Sequence, residues 1–309
     1  MKRRHAASEI ENLFTPSEPE PAWGAVVEII TWVSPAYDFT ALRAVFDDVL
    51  RLFHGDYPGY CRIETPYHNL PHTLDVFLCA ARLTHALHLS RIKLTDREIA
   101  LVLTATLLHD VGYAQLRDGT ETGTGAQYTP THVARGIEFM RQYARERGIP
   151  ADFADDLAPV ISCSDPMLSV TNIDFSDERI RLAGKIVGTS DLVGQMADRN
   201  YLEKLVLLFQ EFQEAGMGGY QSVHDMMRKT ENFHAKIQKK LDEDFSGLYR
   251  HFPQHFKVLL GEERNLYMES IGKNMEYLSK VTTMDESEYL AQLRRGGIIK
   301  EFLSAPPNQ

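Results

Sequence analysis

The sequence predicts an all-α protein, a multi-helix bundle built as one principal domain, on three observations. Apolar residues recur at the i, i+3, i+4, i+7 spacing of a helix in segment after segment. No alternating run of convincing length marks a strand, and no internal repeat divides the chain. The stretch Ile99–Leu108 is apolar on nearly every face, as a central, fully surrounded helix would be.

Residues 1–21 are expected to form a flexible polar tail. It ends in Pro16, Pro19 and Pro21, and three prolines so close together argue against a regular element. The principal domain then spans 22–303, and residues 304–309, with Pro306-Pro307, form a second tail. Ala25–Val33 reads as a short apolar helix. Asp38–Phe53 is a clearer one, with Leu42, Val45, Phe46, Val49, Leu50 and Phe53 on one face and Gly55 and Pro58-Gly59 as its stop.

Pro71 suits the first turn of a third helix, which Leu74, Phe77, Leu78, Ala81, Leu83 and Leu87 carry to about Leu89. Asp96 is the expected N-cap of the next, Arg97–Asp110, with Gly112 suited to follow its end. A long loop over 115–130 contains Gly119–Ala126. Its backbone N–H groups could cradle an anion, although ordinary turn chemistry explains the composition as well.

Further helices are expected at about Thr131–Arg147, Ala154–Ser162 and Asp177–Gln213, the last with a break at Gly188-Thr189-Ser190. Tyr220–Leu241, Glu262–Val281 and a small closing helix over Asp285–Leu293 complete the series. The aromatic residues Phe245, Tyr249, Phe252 and Phe256 read as core or pocket lining.

Of the 309 residues, 43% are hydrophobic and 25% charged, the balance of a globular domain large enough to bury a core. The formal net charge of −10 argues against a nucleic-acid partner, which requires a basic surface. Cys61, Cys79 and Cys163 are too few and too scattered for a disulfide framework or a thiolate zinc site, so they are expected to be reduced and buried. No stretch reaches the roughly 18 apolar residues of a membrane span. The basic start is not followed by an apolar signal core, so a cytoplasmic location without a membrane partner is expected.

Chemistry concentrates in three places. His68 and His72 lie four apart at a helix entrance, so both imidazoles can face one point. His109-Asp110 ends the apolar helix, where burying a carboxylate costs several kcal/mol unless it is paired or binds metal. Asp191 is a lone acid among apolar and small residues. Singly, these fit a satisfied helix histidine, a helix-terminal pair and an N-cap. Together, two His and two Asp make a nitrogen–oxygen donor set suited to Mg, Mn, Zn or Fe ions.

The order His72 … His109-Asp110 … Asp191 resembles the H…HD…D pattern of the all-helical HD-domain metal-dependent phosphohydrolases. Tyr67-His68-Asn69-Leu70-Pro71-His72-Thr73-Leu74-Asp75-Val76 resembles the HNxxHxxDV signature of their 3′,5′-cyclic nucleotide phosphodiesterase branch. The motif-bearing core covers about 67–196. The resemblance implies a phosphodiesterase-like bundle that hydrolyses a phosphodiester such as a cyclic nucleotide, with divalent metal, two ions, as cofactor. It implies that His72, His109, Asp110 and Asp191 bind the first ion and that Asp110 bridges to the second. By the same resemblance His68 is the general acid. Asp75, one turn beyond His72, and Asn69 are candidates to orient ligands from behind, with a helix-surface acid the alternative for Asp75.

The chain departs from that pattern in places. Tyr113 stands near where the phosphodiesterases carry a further His. His132 and Arg135 are candidates for the second metal or for phosphate, Asp165 is a weaker one, and Gln221 and Phe233 have the chemistry but not the spacing to hold a purine. The expected partner is a small phosphorylated molecule, a nucleotide first, with a homodimer left open. An HD nucleotidase, a non-catalytic nucleotide-binding regulator and a di-iron oxygenase are the other readings.

Overall fold

A computed structural model describes residues 18–120, 122–285 and 288–300. Eleven α-helices occur among them: α1 (Pro19–Val33), α2 (Thr40–His54), α3 (Leu70–Leu89), α4 (Asp96–Leu108), α5 (His132–Arg147), α6 (Ala151–Ser162), α7 (Glu178–Ala197), α8 (Tyr201–Glu214), α9 (Val223–Asp242), α10 (Phe252–Leu260) and α11 (Leu266–Thr282). The only β-type pairing among the described residues is the isolated bridge Tyr60–Leu116. The protein is all-α and its helices share one core.

Three helices form the centre. α3, α4 and α7 pack against one another pairwise, and each is buried along most of its length, α3 from His72 to Leu87 without interruption. α1 covers α3 through Ala22, Val26, Ile29 and Ile30, and the rings of Trp23, Phe46 of α2 and Phe77 of α3 pack against one another there. Phe245, Phe252 and Phe256 are fully buried and belong to the core.

Several boundaries differ from those the sequence predicts, each for a physical reason. α1 begins at Pro19, because prolines in a first turn have no N–H to lose and a preset φ; the expected tail is therefore shorter, and residues 1–17 and 301–309 lie outside the described residues. Thr95, not Asp96, caps α4, in a reciprocal capping box with Glu98.

Gly188-Thr189-Ser190 does not break α7. Glycine is required there for close approach, since a Cβ on Gly188 would lie 2.3 Å from the Phe245 ring and 2.6 Å from the Cys163 carbonyl oxygen. The break comes at Asp198, where no glycine or proline announces it. Asn274 and Ser270 of α11 donate to the terminal carbonyls of Met196, Ala197 and Asp198, ending the helix from a distant part of the chain.

The expected helix Glu262–Val281 starts later, at the Asn265 cap, and is preceded by α10, which ends at left-handed Gly261. The closing helix over Asp285–Leu293 is only a 3-10 turn, Tyr289–Ala291, among the described residues. Cys79 and Cys163 are buried thiols, whereas Cys61 is half-buried. No described helix is long and apolar enough to cross a membrane.

Candidate metal centre

The three central helices each bring a side chain to one point. His72 sits in the first turn of α3, whose N-terminus Asn69 caps by accepting the His72 backbone N–H. His109 and Asp110 follow the last turn of α4. Asp191 lies inside α7, so it is no N-cap. All four are buried.

His72 Nε2 stands 3.3 Å from Asp110 Oδ2, from Asp191 Oδ1 and from His109 Nε2. His109 Nε2 is 3.0 Å from Asp110 Oδ2 and 3.9 Å from Asp191 Oδ1. Among the described residues, His72, His109 and Asp110 form the one group whose donor atoms all have the mutual spacing of a metal-holding group.

The surroundings orient these side chains toward one another. His109 Nδ1–H donates to the Thr106 carbonyl at 2.9 Å, which leaves the Nε2 lone pair facing the cluster. Behind Asp191, Gln195 Nε2–H reaches its Oδ1 and backbone oxygen at 3.3 Å, and the Gln195 amide oxygen accepts the Tyr67 hydroxyl at 2.9 Å.

The electrostatics call for positive charge. Burial pushes the His72 imidazole down, but the Asp110 and Asp191 carboxylates overcome it and hold it up at about 10. His109 is raised against burial in the same way by Asp110. Asp110 is held well below the usual carboxylate range, since His109 and His72 outweigh the burial that would raise it. Its Oδ2 is buried and faces the Nε2 atoms of His72 and His109. Two buried carboxylates gathered with two imidazoles, whose pull holds a proton on His72 to high pH in the absence of another cation, fit a divalent cation.

At the rim, His68 is less buried than the four. Its Nδ1 lies 2.5 Å from Glu211 Oε2, while Glu211 Oε1 accepts the backbone N–H of Tyr67 at 2.7 Å and of His68 at 3.0 Å. Burial would lower the His68 imidazole, but the Glu211 carboxylate raises it above its ordinary value. Nothing in the spacing of α8 distinguishes Glu211 beforehand, and an acid on a largely apolar helix was the sole signal.

His132 arrives from the start of α5, with Nε2 3.7 Å from Asp110 Oδ1, the oxygen facing away from His72 and His109. Its Nδ1–H donates to Thr129 at 2.7 Å, and burial keeps the ring below its ordinary pKa. The Tyr113 ring packs against both His68 and His132, at 4.9 Å and 4.7 Å between centroids, and the two imidazoles lie 5.9 Å from each other, so the three rings form one cluster. Gly112 permits this approach: a Cβ there would sit 1.8 Å from the His132 carbonyl oxygen and 2.6 Å from the Gly136 nitrogen.

The remaining candidates lie in other settings. Arg135 donates to the carbonyls of Gly112 and Ala114 at 2.9 Å and stacks on Tyr128, so its guanidinium braces the backbone after the HD pair. Asp75 is buried one turn beyond His72, where burial raises its carboxyl well above the usual range. Asp165 accepts the Met167 N–H within its own turn. In the loop weighed as an anion cradle or an ordinary turn, Thr124 and Ala126 donate to an internal anion, the Glu214 carboxylate.

A family model described as Npun_R2479-like matches residues 117–248, 132 of the 309 residues. The matched stretch includes His132, Asp191, Glu211 and Glu214 but not His68, His72 or His109-Asp110. Comparison with curated proteins finds no match.

Proposed function

We propose that this protein is a metal-dependent phosphohydrolase acting on a small phosphodiester, with a cyclic nucleotide as the first substrate to test. The observation that carries the reading is the convergence of His72, His109, Asp110 and Asp191 from three buried helices beside a histidine held by a buried carboxylate. His72, His109, Asp110 and Asp191 would hold a divalent ion, with Asp110 and His132 facing a second. Such ions supply Lewis-acid polarisation of a phosphoryl group and a nucleophile at neutral pH.

The protein's own residues divide the remaining work. Asp110 presents Oδ2 to His72 and His109 and Oδ1 to His132, so one carboxylate serves both sides. Glu211 holds the His68 ring by Nδ1 and favours its protonated form, which leaves Nε2–H free to give a proton to a leaving oxygen at the rim. Gln195 and Tyr67 fix Asp191 from behind.

The test is metal analysis of the purified protein, followed by a panel of cyclic nucleotides, nucleoside mono- and triphosphates and bis-p-nitrophenyl phosphate with Mn²⁺, Mg²⁺ or Fe²⁺ supplied. Hydrolysis of diesters supports the reading, and turnover of monoesters or triphosphates alone replaces it with a nucleotidase. Absence of hydrolysis across the panel overturns it.

A further inference from the structure

The segment between α4 and α5 has to deliver His132 to Asp110, yet among its described residues it contains little regular structure beyond the turns Val111–Tyr113 and Ala126–Tyr128. Its far end is tied to Glu214, the last residue of α8. Thr124 and Ala126 donate their backbone N–H groups to Glu214 Oε1 at 2.9 Å and 3.1 Å, and the Thr124 hydroxyl donates to Oε2 at 2.9 Å. Gly125 adopts φ +100° there, and a Cβ would lie 2.4 Å from the Tyr113 carbonyl oxygen, so the loop is pressed onto the turn that follows the HD pair.

From this anchor a series of bonds leads to the imidazole. The N–H groups of Tyr128, Thr129 and Thr131 donate to the carbonyls of Gly125, Ala126 and Tyr128 at 3.1, 2.9 and 2.7 Å. The Thr129 carbonyl accepts His132 Nδ1–H, which aims Nε2 at Asp110 Oδ1. One helix therefore touches both sides of the site: Glu211 reaches His68, and Glu214, three residues on, reaches the loop that ends at His132.

We infer that Glu214 is a positioning residue for His132 and, through it, for the second metal position. The inference rests on the divalent-metal reading above. Glu214 is itself exposed, so its contribution is hydrogen bonding rather than packing. Glutamine can reproduce that pattern, because its amide oxygen accepts both backbone N–H groups and its NH₂ donates to the Thr124 hydroxyl.

The test uses the full chain with Mn²⁺ as probe, comparing wild type, Glu214→Gln and Glu214→Ala. Glu214→Ala is expected to weaken the second Mn²⁺ by about 10-fold or more, the scale seen when a residue supporting a ligand is removed. The first Mn²⁺ should be unaffected, with the exchange-coupled two-ion paramagnetic resonance signal lost at equal loading. Glu214→Gln should restore both.

Two wild-type affinities in Glu214→Ala overturn the inference. If Glu214→Ala fails to fold, Thr124→Val removes one of the three bonds and should weaken the second ion alone; unchanged binding in that variant overturns it equally. A wild type that binds no Mn²⁺ sinks the metal reading instead. The positioning role is then decided by side-chain ¹⁵N shifts of His132 in metal-free protein. They should report the Nδ1–H tautomer in wild type and Glu214→Gln but not in Glu214→Ala, and identical shifts in all three overturn it.

Discussion

Glu211 holds His68 at two points and its neighbour Tyr67 at a third: one carboxylate oxygen lies 2.5 Å from the His68 imidazole Nδ1, and the other accepts the backbone N–H groups of Tyr67 and His68. The ring and the chain that carries it are held by a single buried side chain. Glu211→Gln is therefore expected to lower turnover by about 10-fold or more while metal content stays unchanged, the scale of a residue that orients a functional histidine. Because the carboxylate raises His68, the alkaline limb of the rate profile should move to lower pH in the variant. His68→Ala should lose turnover and keep metal, and loss of metal there would refute the proton-donor role.

Asp110 is the one carboxylate that faces both His72 with His109 and His132. Asp110→Ala should lose metal and hydrolysis together, with affinity reduced beyond the 10–100-fold typical of supporting residues. Mn²⁺ at about 100 times its dissociation constant should stabilise the wild type by about 2.7 kcal/mol, because it binds only the folded chain. Thermal melts with EDTA and with Mn²⁺ check this, and Asp110→Ala should show no difference between the two.

Gly112 leaves no room for a methyl group between itself and the backbone of α5. Both obstructing atoms are main-chain, so no rotamer change relieves the contact. Gly112→Ala should destabilise the protein by about 3 kcal/mol, the upper range of ordinary overpacking. Urea denaturation measures the loss, and an unaltered midpoint would disprove the close crossing.

Away from the site, His85 of α3 and His255 of α10 are buried with their Nδ1 atoms 2.9 Å apart. Burial lowers His85 to about 4 and His255 to about 2. Both are neutral when folded, while the unfolded chain takes up their protons below about pH 6.5. Their stabilisation is complete above that value and is lost as pH falls toward the folded values, by roughly 2 kcal/mol per histidine at pH 5. Denaturation midpoints between pH 7.5 and 5 should show the fall, and His255→Leu should make it shallower.

Much of this protein was determined by the sequence alone. The 3.6-residue periodicity set the helices, and the apolar run Ile99–Leu108 marked α4 as central, because a helical run without a charged side chain on any face has none to turn to solvent. The spacing of His72, His109, Asp110 and Asp191 marked a candidate site, since acids and imidazoles are costly in such surroundings without a partner. Only the tertiary structure decided where α7 ends, which Asn274 and Ser270 impose from α11. It also decided that Tyr113 packs against two histidines and that Glu211 and Glu214 brace the two sides of the site. These relationships join residues from about 20 to nearly 150 positions apart. Periodicity and local propensity report on neighbours along one helix, whereas contacts between helices depend on how closely backbones such as those of Gly112 and Gly136 can approach.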